Sequence, residues 1–407
     1  GNIVKQVLLF ALPLMLGNVF QMLYNTVDSV VVGQFVSTQA LAAVGSTTMI
    51  VNMLVFFFNG FSIGASVVIG IHFGAKNMEK LHKAVETTIA ATFVMCVAFT
   101  VIGYVGVVPM LRLMSTPEDV FPEATEYLHI YFAGFSGLLI YNMGSAVLRS
   151  VGDTTRPLYF LVLTSVLNII LDPVMIFGLG WGAAGAATAT VIGNVCTDIF
   201  FVWFLIKKSR NLSVNPKGFH ISGAEIGAVF AIGIPASVTN LMQSIGIALT
   251  NRALLGFGDD KVAAMGIVMK INMIAALVLV GFAFGGQPLI GYNYGAKNRE
   301  RLKGTLKFAY LFEGGLALVL MAVLGFFAPQ LVRIFMSDPS VVENGALMLR
   351  LQLAGMVFMG VVLISTCTFQ SAGQAVGAFL LSVSRQGVIF AIVLNVALRA
   401  AGFHGVL

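Results

Sequence analysis

Long apolar runs recur from one end of the chain to the other, and they constrain its fold more than any other feature. Many exceed 20 residues, enough for a helix to cross a hydrocarbon layer ~30 Å thick. Their apolar residues are continuous rather than alternating, which predicts spanning helices and not a transmembrane barrel. With 58% hydrophobic and 10% charged residues among 407, the composition is too apolar for a water-soluble globular protein. The sequence therefore predicts an all-α polytopic membrane protein.

Breaks made of Gly, Pro and charged residues divide these runs into eleven predicted spans. The spans are residues 4–33, 40–72, 84–110, 124–148, 157–178, 183–206, 224–255, 262–292, 304–328, 344–370 and 376–399. The first run is too long for a signal sequence and lacks a small-residue cleavage site, so we expect it to be retained as a helix.

Basic residues are concentrated on one side of the predicted membrane. Sixteen of the 23 Lys and Arg residues lie at the N-terminal end or in loops after even-numbered spans, whereas the opposite loops hold mostly acids. The positive-inside rule then places the N-terminus in the cytoplasm. We expect a multi-pass monomer in the cell (cytoplasmic) membrane. Because topology accounts for the net charge of +6, a nucleic-acid partner is not expected.

The motifs of common enzyme and metal sites do not appear in the sequence. The three cysteines lie inside apolar runs without CxxC spacing, so neither a disulfide nor a metal site is expected. The segment "GLGWGAAG" joins two apolar helices and follows no strand, which argues against a nucleotide-binding loop. With no Walker motif and no nucleophile elbow, the sequence predicts neither an enzyme nor a cofactor.

An internal repeat organises the chain. The segment "FGAKNMEKLHKA" at 73–84 matches "YGAKNRERLKGT" at 294–305, an offset of 221 residues, and Pro13 corresponds to Pro235 at an offset of 222. The same repeat relates the GxxxG pairs at 60–64 and 281–285. The simplest role of these glycines is to let neighbouring helices pack closely.

The repeat predicts two pseudo-symmetric six-helix lobes around a central cleft. The N-lobe covers 1–206, a cytoplasmic linker covers 207–222, and the C-lobe covers 223–407. An offset of an even number of spans gives both lobes the same orientation, an arrangement found in transporters. The C-lobe stops at "AGFHGVL", so we expect its twelfth helix to be absent from this chain and the natural protein to continue.

Four polar residues converge at one depth of the N-lobe. Counted from the predicted outer ends of spans 1 and 5, Asp28 and Asp172 both lie ~8 Å inside the boundary. Asn168 is one turn deeper than Asp172 on the same face, and Thr190 on span 6 reaches the same level. A charge inside a span costs at least ~2.5–3.5 kcal/mol, so such groups usually serve a function.

This donor set suits a proton shared between carboxylates or a small hard cation such as Na⁺. A hydrogen-bond network that only holds helices together is the alternative interpretation. The sequence leaves open the roles of four other charged residues inside spans. Two alternatives for Lys270 are an ion pair with Glu313 and a side chain that extends towards the membrane interface. These four residues are Asp198, Lys270, Glu313 and Arg350.

The chain resembles the multidrug and toxic compound extrusion (MATE) transporters over its whole length. The resemblance is carried by "ALPLMLGNVFQMLYNTVDSVVVG", the repeated "GAKN", "LRSVGDTTRP", "NIILDPVMIFGLGWGAAGAATAT" and "TFQSAGQ". Resemblance to the prokaryotic branch of this family, which has an N-lobe cation site, implies cation-coupling roles for Asp28, Asn168, Asp172 and Thr190. Another branch carries acids in spans 7 and 10, where this chain has Asn240, Gln243 and Arg350.

The function implied is export of amphipathic, cationic drugs and toxic organic compounds by alternating access, in exchange for H⁺ or Na⁺. Hinges are expected at Pro13 and Pro173. The candidate residues for a substrate cleft are Gln21, Tyr24, Met53, Phe56, Tyr141, Met242, Gln243 and Met273. A lipid-linked precursor flippase of the same superfamily is the alternative, and a passive channel is disfavoured by the asymmetric placement of the acids.

Overall fold

The computed structural model describes residues 2–35, 38–113, 116–208, 221–254, 259–335, 338–384 and 389–401. Within these ranges every regular element is helical, which confirms the all-α prediction. The helices are α1 (Ile3–Phe35), α2 (Thr38–Gly74), α3 (Met78–Leu113), α4 (Phe121–Ala133), α5 (Phe135–Ser150), α6 (Thr155–Pro173), α7 (Gly182–Lys208), α8 (Gly223–Leu254), α9 (Asp259–Gly295), α10 (Arg299–Phe326), α11 (Ala328–Phe335), α12 (Pro339–Ser371), α13 (Ala375–Val383) and α14 (Ile389–Ala401).

Eight helical segments of the described residues are long and apolar enough to cross a membrane. A ninth results if α4 and α5, which meet at an angle of 47°, form one bent span. The predicted total of eleven spans stays a prediction, because part of span 11 falls at 385–388, outside the described residues. The apolar length of the segments agrees with a polytopic membrane protein.

The chain divides into two compact units. The N-unit is Leu16–Ile234, and the C-unit is Gly1–Met15 together with Pro235–Leu407. Relative to the predicted lobes, two segments are exchanged: the start of α1 belongs to the C-unit and the start of α8 to the N-unit. Each exchange occurs near a proline inside the helix, Pro13 in α1 and Pro235 in α8. A proline removes one helical hydrogen bond and bends the helix, so the two parts of each helix can pack separately.

Small residues hold the start of α8 against α2 within the N-unit. A Cβ on Gly64 would lie 2.2 Å from the carbonyl oxygen of Val229, and one on Gly233 would lie 3.0 Å from that of Gly60. At the end of α2, His72 Nε2 and Glu225 Oε2 are 3.2 Å apart. The predicted packing role of the N-lobe glycines is therefore confirmed.

The start of α1 packs in the same way within the C-unit. A Cβ on Gly285 would lie 2.5 Å from the Cα of Ala11, and Gly285 is the repeat counterpart of Gly64. Arg301 on α10 donates to the side-chain oxygen of Gln6, which lies nearer the start of α1 than Ala11 does. Around these contacts a buried apolar cluster joins α1, α9, α10 and α12. The repeat thus uses a glycine at the same helix position to seat both exchanged segments.

The two units differ in one helix. In the N-unit, α4 and α5 are separate helices that break at Gly134. In the C-unit, the corresponding residues form the single helix α12, which continues through Gly355, the repeat counterpart of Gly134. The break at Gly134 is therefore a property of one unit and not of the repeat.

Candidate functional site

The C-terminal part of α6 carries the first two residues of the predicted cation site. Asn168 is 0% exposed and Asp172 is 1% exposed. They are four residues apart, so they project from the same face of the helix. A carboxylate and an amide thus lie together in the interior of the N-unit, where burying a charge without compensation is costly.

Helix α7 supplies the hydroxyl of this group. Asn168 Nδ2 donates to Thr190 Oγ1 at 3.3 Å, and Thr190 Oγ1 donates to the carbonyl oxygen of Ala186 at 3.1 Å. A threonine hydroxyl can donate one hydrogen bond and also accept, and Thr190 does both here. The structure therefore brings Asn168 and Thr190 into contact across the α6–α7 interface.

The regular helix ends directly after Asp172. Pro173 closes α6, and a π-helical turn follows at Val174–Gly178. A Cβ on Gly185 in α7 would lie 3.0 Å from the carbonyl of Met175, so the start of α7 packs closely on this turn. Single π turns within helices occur frequently at functional sites, and this one adjoins the buried carboxylate.

Helix α1 passes close to α6 at Gly17. A Cβ on Gly17 would lie 3.1 Å from Leu161 Cδ2. Asp28 and Asp172 are each eleven residues beyond this contact on helices that the predicted topology orients in the same direction. Both positions are therefore about 16 Å further along their helices, at 1.5 Å per residue. The Asp28 side chain lies outside the described residues, so its convergence with Asp172 stays a prediction.

A second face of α7 packs against the helix break, and sequence reasoning did not single it out. A Cβ on Gly134 would lie 2.2 Å from Val191 Cγ2, and one on Gly137 would lie 3.1 Å from both Asn194 Cβ and Asp198 Oδ2. Asp198 is 8% exposed, and its Oδ1 has no hydrogen-bond partner among the described residues. The spacing of three and four residues along α7 was the available signal for this face.

The charged residues inside the C-unit do not form the ion pair considered above. Glu313 is 0% exposed, and neither of its carboxylate oxygens has a hydrogen-bond partner among the described residues. Lys270 is exposed, and its Nζ lies 5.9 Å from the centroid of the Phe335 ring. Arg350 Nε donates to the carbonyl oxygen of Gly325 at 2.9 Å. Of the two alternatives that the sequence left open for Lys270, the ion pair with Glu313 is therefore not formed, because the two side chains have different surroundings.

The residues predicted for the substrate cleft are only partly described. The side chains of three lie outside the described residues: Tyr24, Met53 and Gln243. Of the others, two are exposed and three are half-buried, namely Gln21 and Met273, and Phe56, Tyr141 and Met242. The hydroxyl of Tyr141 donates to the carbonyl oxygen of Pro157 at 3.3 Å, which ties α5 to α6. The cleft itself stays a prediction.

Comparison with known proteins finds similarity over the whole chain. It is 26% identical over 407 residues to the multidrug export protein MepA of Staphylococcus haemolyticus, covering 100% of this chain and 90% of that protein. It is 28% identical over 385 residues to the probable multidrug resistance protein YoeA of Bacillus subtilis, covering 92% and 82%. A solved structure of a multidrug resistance MATE family transporter of the MOP superfamily, described as outward-facing, matches with a TM-score of 0.94 at 25% identity, covering 100% and 91%.

The family assignment rests on two separate matches. The sequence model of the MatE family matches residues 13–174 and again residues 235–397. The matched segments begin at Pro13 and Pro235, the pair that the internal repeat had related. Since the two matches together include most of its length, the chain belongs to the MatE family.

Proposed function

We propose that this chain exports small amphipathic organic compounds, organic cations among them, in exchange for H⁺ or Na⁺. The MatE family assignment and the names of the relatives, which describe multidrug export, support transport of drugs over flipping of lipid-linked precursors. The transporter is a membrane protein without an enzymatic reaction, and the coupling ion is a transported species rather than a cofactor.

The coupling site in this proposal consists of Asp28, Asn168, Asp172 and Thr190. One observation carries it: a buried carboxylate, Asp172, shares a helix face with Asn168, whose amide donates to Thr190 at 3.3 Å. A cation bound among the carboxylate, amide and hydroxyl oxygens would stabilise the closed site, because oxygen atoms of this kind are the ligands that small hard cations prefer.

Exchange follows if cation and substrate favour different conformations of the N-unit. A ligand shifts a conformational equilibrium only by its difference in affinity for the two states. Loading Asp28 and Asp172 would draw α1, α6 and α7 together around the cation, and the bound organic compound would then lose its contacts. The bends available for this motion lie at Pro13 and at the π turn after Pro173.

The test is transport in proteoliposomes with an imposed gradient. The full chain is reconstituted, and uptake of a fluorescent organic cation is followed with a proton gradient, with a sodium gradient and with neither. We expect flux that depends on one gradient. Flux that ignores both gradients would contradict the proposal.

Two variants and one matched control assign the coupling residues. Asp28→Asn and Asp172→Asn remove the acid while keeping the size of the side chain, and we expect either to reduce gradient-driven flux by tenfold or more. Asp119→Asn removes an acid from an exposed position between α3 and α4 and is expected to leave flux unchanged. Equal flux in all three variants would remove these carboxylates from the mechanism.

A further inference from the structure

The acid in the interior of the C-unit has surroundings unlike those of any other acid that the structure describes there. Glu313 lies in the middle of α10, is 0% exposed, and has two oxygens without a hydrogen-bond partner. The other acids of this unit in the described ranges lie near helix starts, namely Asp259, Asp260, Glu300, Asp338 and Glu343. Glu313 is therefore placed where an ionised carboxylate would be strongly disfavoured.

A glycine on the neighbouring helix provides the space for this side chain. A Cβ on Gly360 of α12 would lie 2.9 Å from Glu313 Cγ and so would be too close. The adjacent contact between α10 and α12 is polar, with Tyr310 Oη and Ser365 Oγ 2.8 Å apart. The interface thus admits a carboxyl group that a larger residue at position 360 would displace.

The repeat shows that the fold does not require an acid at this position. The counterparts of Glu313 and Gly360 in the N-unit are Thr92 and Leu139. Thr92 Oγ1 donates to the carbonyl oxygen of Thr88 at 2.7 Å, and Leu139 is buried in an apolar cluster. The N-unit therefore fills the same helix interface with an internally bonded hydroxyl and a leucine, whereas the C-unit has a carboxyl group facing a glycine.

Among the described residues, the elements packed against α10 direct no positive charge at Glu313. On α9, Lys270 extends towards Phe335, and on α12, Arg350 bonds to Gly325. The basic groups at the start of α1 and on α11 are exposed, namely Lys5 and Arg333. The buried thiol of Cys367 on α12 is a titratable neighbour of Glu313.

These surroundings restrict what Glu313 can bind. Metal ions of the size of Mg²⁺ or Ca²⁺ take about six or more oxygen ligands, and within the described part of the chain no three His, Cys, Asp or Glu residues are grouped to hold a metal. A proton needs only the carboxylate oxygen itself. Binding it converts an uncompensated charge into a neutral group that fits a buried position.

We propose that Glu313 is a proton-binding site of the C-unit, loaded from water when α10 and α12 separate at Gly360 and occluded when they close. One proton passes from hydronium in the entering water to a carboxylate oxygen of Glu313, leaving a water molecule, and it returns to water when the helices next separate. This site is separate from the coupling site proposed in the N-unit. Its participation in exchange rests on the proposed function, whereas proton binding itself does not.

Infrared difference spectroscopy of the reconstituted full chain tests the binding. Spectra are recorded between an acidic and an alkaline pH, and the carbonyl stretch of protonated carboxyl groups is followed. Glutamate labelled with ¹³C shifts the bands of glutamic acids and leaves those of aspartic acids in place, which needs no substitution. We expect a labelled band that disappears at alkaline pH, that is lost in Glu313→Gln, and that remains in Glu343→Gln.

The same spectra separate this inference from the coupling site. Asp172→Asn should retain the Glu313 band, and loss of gradient-driven flux in that variant would not affect the result. A glutamic acid band that is unchanged by Glu313→Gln, or a Glu313 band that stays at every pH, would overturn the proposal. For the role in exchange, we expect Glu313→Gln to lower the number of protons moved per organic cation, and an unchanged ratio would refute that role.

Discussion

Replacement of Gly134 by alanine tests whether the break between α4 and α5 positions the candidate site. Gly134 has φ −97° and ψ 4°, a backbone conformation that alanine can adopt. Any effect must therefore come from the added methyl group. That Cβ would lie 2.2 Å from Val191 Cγ2 and 2.4 Å from Cγ1, and Val191 is next to Thr190 in α7.

The expected magnitude follows from these distances. Carbon atoms in contact are normally ~3.5–4.0 Å apart, so α7 or the α4–α5 break must move by at least ~1.3 Å. Overpacking of this kind typically costs about 1–3 kcal/mol. At ~2 kcal/mol, the melting temperature of a domain of this size would fall by roughly 4–8 °C. The 3.3 Å hydrogen bond from Asn168 to Thr190 is already long and would not survive such a shift.

The repeat supplies a matched control. A Cβ on Gly355, the counterpart in the uninterrupted helix α12, meets nothing within 4 Å. Gly355→Ala should therefore leave transport unchanged and stabilise its helix by up to ~1 kcal/mol. Gly134→Ala combined with Val191→Ala removes both crowded γ-carbons and should recover part of the loss, with a coupling of ~0.5–3 kcal/mol.

The assay is the melting temperature in detergent together with gradient-driven uptake of a fluorescent organic cation in proteoliposomes. Gly134→Ala is expected to lower both, and the double variant to restore both in part. If Gly134→Ala is as stable and as active as Gly355→Ala, the break does not position α7 and the reasoning from the contact with Val191 is refuted.

Two further predictions concern contacts already described. Thr190→Val removes the acceptor of the Asn168 amide at nearly constant volume, so we expect a loss of about 1 kcal/mol in stability and a reduced flux. Thr190→Ser keeps the hydroxyl and should retain both the stability and the flux. Equal flux in the two variants would contradict this prediction. Gly64→Ala places a methyl group 2.2 Å from the carbonyl oxygen of Val229 and should lower the melting temperature. Gly227→Ala on α8 is the control, because its Cβ would meet nothing within 4 Å, and it should leave the melting temperature unchanged. If Gly64→Ala also leaves it unchanged, α2 and α8 separate at little cost.

The sequence predicted the helical membrane architecture well because long apolar runs leave the backbone few alternatives in lipid. The repeat could also be read directly, since "GAKN" and the paired prolines recur at nearly constant offsets. The depths of Asn168 and Thr190 followed from helix rise alone, and the structure places them in hydrogen-bond contact. Depth along a helix is a one-dimensional quantity that residue counting determines.

The rotation of each helix about its own axis, and the contacts between segments distant in the chain, could not be predicted as well from the sequence. Whether Lys270 meets Glu313 depends on which way each helix faces, so residue counting left this pair open and only the structure shows that it is not formed. The exchange of the starts of α1 and α8 between the units depends on packing at Gly285 and Gly64, which a search for linkers does not reveal. The break at Gly134 was equally hidden, because its counterpart Gly355 has the same residue type within a continuous helix.

The exchanged segments also give the chain an order of assembly during synthesis. The N-unit is one continuous stretch and can be complete once residue 234 has left the ribosome. The C-unit includes the first fifteen residues, whose partners in α9 and α10 are made only after the whole N-unit. The start of α1 must therefore wait in the membrane without its final neighbours while some 270 residues are added, about 14–54 s at ordinary rates of translation. A chain divided at the linker would leave each half lacking a helix segment that only the other half carries.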